Sequence, residues 1–146
     1  MLTDQKLIFL MRMTPIMKTS NSSIILGIGN DIIELERIRQ SFDRHGYRFL
    51  TKLFSEQEQD YCLKHKDPIP HLAGRFAAKE AIVKALGTGF GEHASWQDLE
   101  IINDTLGKPQ VHVSKTLESK LESSTILISI SHCQLYVTAM AIWTKT

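Results

Sequence analysis

The chain has 146 residues, enough for one domain with its own core and too few for two full-sized ones. Its 17 basic and 16 acidic residues leave a net charge of +1, so no global field draws it to nucleic acid or an anionic membrane; anion recognition has to be local. Two cysteines, Cys62 and Cys133, are too few for a disulfide-stapled secreted scaffold and fit a reducing, cytoplasmic setting.

Residues 1–23 stand apart. Leu7-Ile-Phe-Leu-Met11 is apolar but short, Arg12 interrupts it, and no small-residue cleavage pattern follows, so neither a signal peptide nor a spanning helix is expected. With Met11, Met13 and Met17 as internal starts, the stretch reads as a disordered or mis-started extension before a domain over 24–146.

Ile24-Ile-Leu-Gly-Ile-Gly-Asn-Asp-Ile-Ile33 is a β-rich apolar run with one acid, Asp31, where the strand is expected to stop. From Glu34 to Leu53, apolar residues at Leu35, Ile38, Phe42, Phe49, Leu50 and Leu53 recur among charges. They predict an amphipathic helix broken near Gly46, with basic residues on its exposed side. Ser55-Glu-Gln-Glu58 has capping-box spacing and opens a helix through about Lys64, after which Asp67-Pro-Ile-Pro70 predicts a turn. Cys62, His65 and His71 lack the fourth ligand and the spacing of a zinc site.

Arg75-Phe-Ala-Ala-Lys-Glu-Ala-Ile-Val-Lys84 is the site helix. Phe76, Glu80 and Lys84 recur at i, i+4 and i+8, while Ala77, Ala78, Ala81, Ile82 and Ala85 turn to the other side, where methyl-sized side chains let another backbone come close. Gly87 is placed to end it in the left-handed conformation. Further on, 98–103 and 109–113 flank the glycine-containing loop 104–108 as a hairpin, Ser114 opens a short helix to about Leu121, and 125–131 with 135–143 form a second hairpin. The pattern is mixed α/β (α+β), a mostly antiparallel sheet packed with helices.

Asp31 at a strand and Glu80 on a packed helix are two anionic groups on rigid supports. Together they suit a hard divalent cation such as Mg²⁺, which takes oxygen ligands and completes its shell with water and phosphate. The plainer alternative is a surface ion pair between Glu80 and Lys84. Lys79 and Glu34 are second-tier residues, read as packing edge and helix start. His132, at a strand end, is by type a hydrogen-bonded structural residue. Gly87-Thr-Gly-Phe-Gly91 is open to two readings: backbone amides approaching a nucleotide, or a helix cap with a connector. Neither glycine cluster is a dinucleotide fingerprint or a P-loop, because Ile32 stands where a third glycine would be and no lysine-serine or lysine-threonine pair follows.

Gly27-Ile-Gly-Asn-Asp-Ile-Ile-Glu34 through Arg37, Leu72-Ala-Gly-Arg-Phe-Ala-Ala-Lys-Glu-Ala81 through Lys84, and Ile128-Ser-Ile-Ser-His132 resemble, in order and separation, the three signature segments of the holo-acyl-carrier-protein synthase family of 4'-phosphopantetheinyl transferases. The resemblance implies the 4'-phosphopantetheinyl transferase fold and a trimer with active sites between neighbouring subunits. It implies transfer of 4'-phosphopantetheine from coenzyme A to a serine of apo-acyl carrier protein, for fatty acid biosynthesis. Asp31 and Glu80 become expected Mg²⁺ ligands, and Lys84 a residue that reaches phosphate or assists the serine proton. Ser131 and His132 are expected at the coenzyme phosphates, joined by Gly87 and Gly89 in the nucleotide reading of their loop. Arg37, Arg44 and Arg48 are expected to meet the acidic carrier, with Arg37 the one arginine inside the family's first motif. Two readings from other classes stand beside this one: a non-catalytic binder of an acidic helical protein, resting on Arg37, Arg39, Arg44 and Arg48, and a metal-dependent pyrophosphate hydrolase using the same carboxylates.

Overall fold

The structure is a computed structural model that describes residues 24–145; the N-terminal extension lies outside the described residues. Among the described residues, the order is β1 (Ile25–Glu34), α1 (Leu35–His45), α2 (Tyr47–Leu53), α3 (Glu56–Leu63), α4 (Ile69–Leu86), a 3-10 turn at Trp96–Asp98, β2 (Leu99–Asn103), β3 (Pro109–Val113), α5 (Lys115–Leu121), β4 (Ser124–His132) and β5 (Tyr136–Lys145). The strands form a three-stranded sheet in the order β1-β5-β4 and a separate β2-β3 hairpin, all antiparallel. The expected class therefore holds. So do the break at Gly46, the Ser55–Glu58 capping box and the helix opened by Ser114.

Two boundaries differ from expectation. β1 does not stop at Asp31 but runs on to Glu34, because β5 keeps pairing with it through Glu34↔Tyr136. The Asp67–Pro70 segment is not a separate turn before the site helix, since α4 already begins at Ile69. Pro70 sits in its first turn, where a missing N–H costs nothing, and the Asp67 carboxylate accepts from the Ile69 N–H at 3.1 Å.

The core lies where α4 crosses the three-stranded sheet. Leu72, Ala73, Ala77, Ala78, Ala81, Ile82 and Val83 of α4 are buried, against Ile33, Val137, Ala139 and Ala141. Burying an aliphatic side chain of Leu or Ile size contributes about 1.5–3 kcal/mol, and here it also fixes which way the helix faces. The approach is closest at β1. A Cβ built on Gly27 would lie 1.9 Å from the Ala85 carbonyl oxygen, and one on Gly29 1.9 Å from that of Ala81. Alanines on the helix and glycines on the strand thus bring two backbones together. The other face of the sheet is open and carries exposed Ile28, Ile32, Leu127 and Met140. No helix among the described residues is long and apolar enough to cross a membrane.

Candidate active site

Strand alternation puts Asp31 on the same face as Gly29 and Ile33, so its carboxylate emerges at the rim of the α4 packing. There it meets α4. The Lys84 ammonium donates to Asp31 Oδ1 at 2.8 Å and to the Asn30 carbonyl at 3.0 Å; the Asp31 side chain is 15% exposed and that of Lys84 49%. The surface pair considered for Glu80 and Lys84 is replaced by a bridge between helix and strand. Half-exposed, it contributes little stability, and its consequence is positional.

Glu80, one turn before Lys84, is half-buried and feels the charges of both Asp31 and Lys84. Burial raises its pKa above the ordinary carboxylate range, the Asp31 charge raises it further, and Lys84 lowers it. Two carboxylates repelling each other beside a single ammonium fit a hard cation, which would relieve the repulsion. Among the described residues no group of three or more His, Cys, Asp or Glu side chains gathers at metal-binding spacing, so Asp31 and Glu80 leave coordination positions for water and phosphate oxygens.

A carboxyl whose pKa rises on folding favours the fold while protonated and loses that advantage as pH climbs through its folded value. Metal-free Glu80→Gln is therefore expected to melt a few degrees above wild type at pH 7. The gap should close below about pH 4, where Glu80 is protonated in both states. Melting followed by circular dichroism in chelator checks this, and a Glu80→Gln protein melting below wild type at pH 7 would contradict it.

The other expected site residues separate into three groups. Gly87 ends α4 with φ 71°, and the N–H groups of Gly87, Thr88 and Gly89 turn back to the Lys84 and Val83 carbonyls. These hydrogen bonds are those of a helix cap. Ser131 and His132 sit at the end of β4, with β5 between them and Asp31. With Ile32, Cys133, Tyr136 and Thr138 they line a depression of about 390 Å³ at this end of the sheet, Ser131 in register with Thr138 on the open face and His132 with Val137 on the α4 face. Arg37 and Arg44 lie on one face of α1, lining a shallow pocket with Gln40, Ser41 and His45. Arg48 borders the adjoining groove of about 430 Å³, whose floor includes Phe49, Leu53 and Trp96. Arg39 leaves this face to pair with Asp67 at 3.1 Å, so it drops out of the basic patch. Glu34 occupies the N-cap position of α1 without a side-chain capping bond.

Some features escaped the sequence. His65 and His71 stack at 3.7 Å between ring centroids, and His71 is held less basic than an ordinary histidine by burial and by the charges of His65, Arg75 and His132. Burial pushes the neighbouring Cys62 thiol up to about 11, leaving it inert as a nucleophile. Phe76, on the Glu80 face of α4, stacks on Trp96, which stacks in turn on Phe90 at 3.8 Å. Periodicity flagged Phe76, but nothing local pointed to Trp96. Lys79, expected at a packing edge, is fully buried against Glu58.

The family model of the 4'-phosphopantetheinyl transferase superfamily matches residues 27–141. The holo-[acyl-carrier-protein] synthase of Protochlamydia amoebophila is 58% identical over 120 residues, 82% of this chain and 98% of that protein. The crystal structure of holo-[acyl-carrier-protein] synthase from Neisseria meningitidis superposes with a TM-score of 0.78 at 35% identity, covering 83% of this chain and 99% of that one. The synthase from Bacillus anthracis, in complex with CoA (3',5'-ADP), superposes with a TM-score of 0.74 at 36% identity, covering 85% and 100%. The match spans both site elements, β1 and α4, and nearly the full length of each relative; the chain belongs to the holo-[acyl-carrier-protein] synthases of the 4'-phosphopantetheinyl transferase superfamily.

Proposed function

We propose that the chain transfers 4'-phosphopantetheine from coenzyme A to a serine of apo-acyl carrier protein, with Mg²⁺ held by Asp31 and Glu80. The serine oxygen bonds to the phosphorus that bears the pantetheine arm, the pyrophosphate P–O bond breaks, and adenosine 3',5'-bisphosphate leaves. The observation that carries this reading is the pair of carboxylates on converging rigid elements with the Lys84 ammonium at their edge. Mg²⁺, when bound, would neutralise pyrophosphate charge and help align the attack. Lys84, exposed on one side, is placed to meet a phosphate oxygen as the ammonium or, in its neutral amine form, to take the serine proton. Holo carrier would then serve fatty acid biosynthesis in the cytoplasm.

Ser131 and His132 are assigned to the coenzyme phosphates, and the 87–91 loop to the nucleotide's border. Because β5 separates them from Asp31, a homotrimer with the site between subunits accounts for their contribution. Its contact surface would be the open sheet face bearing Ile28, Ile32, Leu127 and Met140. Light scattering after gel filtration reads the stoichiometry, and a monomer at micromolar concentration would remove this part of the proposal.

Incubation with Mg²⁺, coenzyme A and apo-acyl carrier protein, followed by intact mass of the carrier, tests the function. The carrier should gain one phosphopantetheine. Free phosphopantetheine with an unmodified carrier would instead mark a pyrophosphate hydrolase. A carrier that binds but keeps its mass, with coenzyme A intact, would mark a binding module.

Arg37, Arg44 and Arg48 are proposed to receive the acidic carrier beside the groove floored by Phe49, Leu53 and Trp96. Reversal of Arg37 and Arg44 to glutamate should raise the KM for carrier by about tenfold or more at low salt and leave coenzyme A affinity unchanged. Wild-type rates at limiting carrier should fall as salt rises, because the Debye length shrinks to about 8 Å at physiological ionic strength. An unchanged KM in the double variant would move the docking surface elsewhere.

A further inference from the structure

One residue before Glu80, Lys79 turns away from it, into the core. Its side chain and that of Glu58 are both 0% exposed, and they pair at 2.8 Å. The ammonium donates to Glu58 Oε2, to the Leu53 carbonyl at 2.8 Å and to the Trp96 carbonyl at 3.0 Å, which uses its three protons. Glu58 in turn accepts from the Ser55 N–H through Oε2 and from the Ile101 N–H through Oε1, each at 2.9 Å. This knot ties the end of α2, the start of α3, the Trp96 turn and β2 to one point on α4. Burial lowers the Lys79 pKa, while the Glu58 charge and hydrogen bond raise it.

A buried ion pair is poor evidence for stability, since two apolar side chains of similar volume often serve a fold as well. What apolar contacts do not supply is direction. Successive residues of an α-helix differ by about 100° around its axis, so fixing Lys79 inward sets the azimuth of Glu80, and five residues on that of Lys84. The same knot holds the Trp96 carbonyl, and the Trp96 ring stacks on Phe76, one turn before Glu80. α4 is thus held by Trp96 at two positions, Phe76 and Lys79, in the turn that leads into Glu80.

We propose that Glu58 and Lys79 are positioning residues for the site: their buried knot fixes the rotation of α4 that turns Glu80 toward Asp31. The idea builds on the metal-site reading above, and its test is chosen to give an answer even where transfer itself is not observed.

The variant Glu58→Gln/Lys79→Met removes both charges yet keeps an amide that can accept from the Ile101 N–H and donate to a carbonyl. Mn²⁺ binding, read as free Mn²⁺ by electron paramagnetic resonance, should weaken by about tenfold or more, the range typical of groups that orient metal ligands. The turnover number should fall while the KM for carrier stays near wild type. Leu117→Ala, at the buried position of the otherwise largely exposed α5, is the control: it should lower the melting temperature and leave Mn²⁺ affinity unchanged. A double variant that is folded and binds Mn²⁺ like wild type would overturn the proposal. Should it not fold, Glu58→Gln alone carries the test with the same Mn²⁺ readout and a smaller expected loss. If neither variant folds, the pair is a folding requirement only and the positioning role falls. If wild type binds Mn²⁺ through Asp31 and Glu80 but transfers nothing, the transferase reading fails and the Mn²⁺ comparison still decides this one.

Discussion

Asp31→Ala and Glu80→Ala should each reduce transfer at limiting Mg²⁺ by about a thousandfold or more, the equivalent of roughly 4 kcal/mol of transition-state stabilisation. The expectation rests on the two carboxylates acting as one unit. Glu80 already feels the Asp31 charge, so removing either one leaves a site unable to hold a divalent cation against the nearby Lys84 ammonium. Folding should be spared. Asp31→Ala loses a half-exposed bridge of small worth, and in Glu80→Ala the relief of repulsion is offset by the lost packing of a half-buried side chain, so neither variant should melt far below wild type and the circular dichroism spectra should match it. Near-full turnover by either variant at limiting Mg²⁺ would show that the ligands have been misassigned.

The second large effect is expected from the smallest substitution. Gly29→Ala would place a methyl group 1.9 Å from the Ala81 carbonyl oxygen and 2.6 Å from the Ala85 nitrogen. Both are backbone atoms of α4, so no rotamer change relieves the clash and the helix itself must move. The cost is expected to reach about 3 kcal/mol, lowering the melting temperature by roughly 10 °C. Activity in the surviving folded fraction should drop as well, because the same displacement separates Glu80 from Asp31. Gly89→Ala is the contrast. That glycine has φ 64° with nothing within 4 Å of a built Cβ, so only the left-handed conformation is strained, at about 1–2 kcal/mol. A Gly29→Ala protein melting within a degree or two of wild type would mean that helix and strand do not approach so closely.

Much of the architecture was legible because its signals are local. The Ser55–Glu58 capping box, the break at Gly46, the Gly87 cap and the two hairpins each depend on a few adjacent residues, and each formed where expected. The boundaries that shifted depended on distant partners. Whether β1 ends at Asp31 or Glu34 is settled by β5, more than a hundred residues away, and where α4 starts depends on a proline whose position within the first turn is harmless.

The sequence by itself determined the α/β class, the family, the two faces of the site helix, and Asp31, Glu80 and Lys84 as the residues to watch, since periodicity and motif spacing are properties of the chain. Tertiary structure decided their partners. It joined Lys84 to Asp31 in place of Glu80, took Arg39 out of the basic patch, spent the Gly87 and Gly89 amides on the helix end, and buried Lys79 against Glu58. Helical periodicity says which side chains share a face, while the element that meets that face is chosen by packing among segments far apart in the chain, and with it the charge each side chain finds and the water it loses.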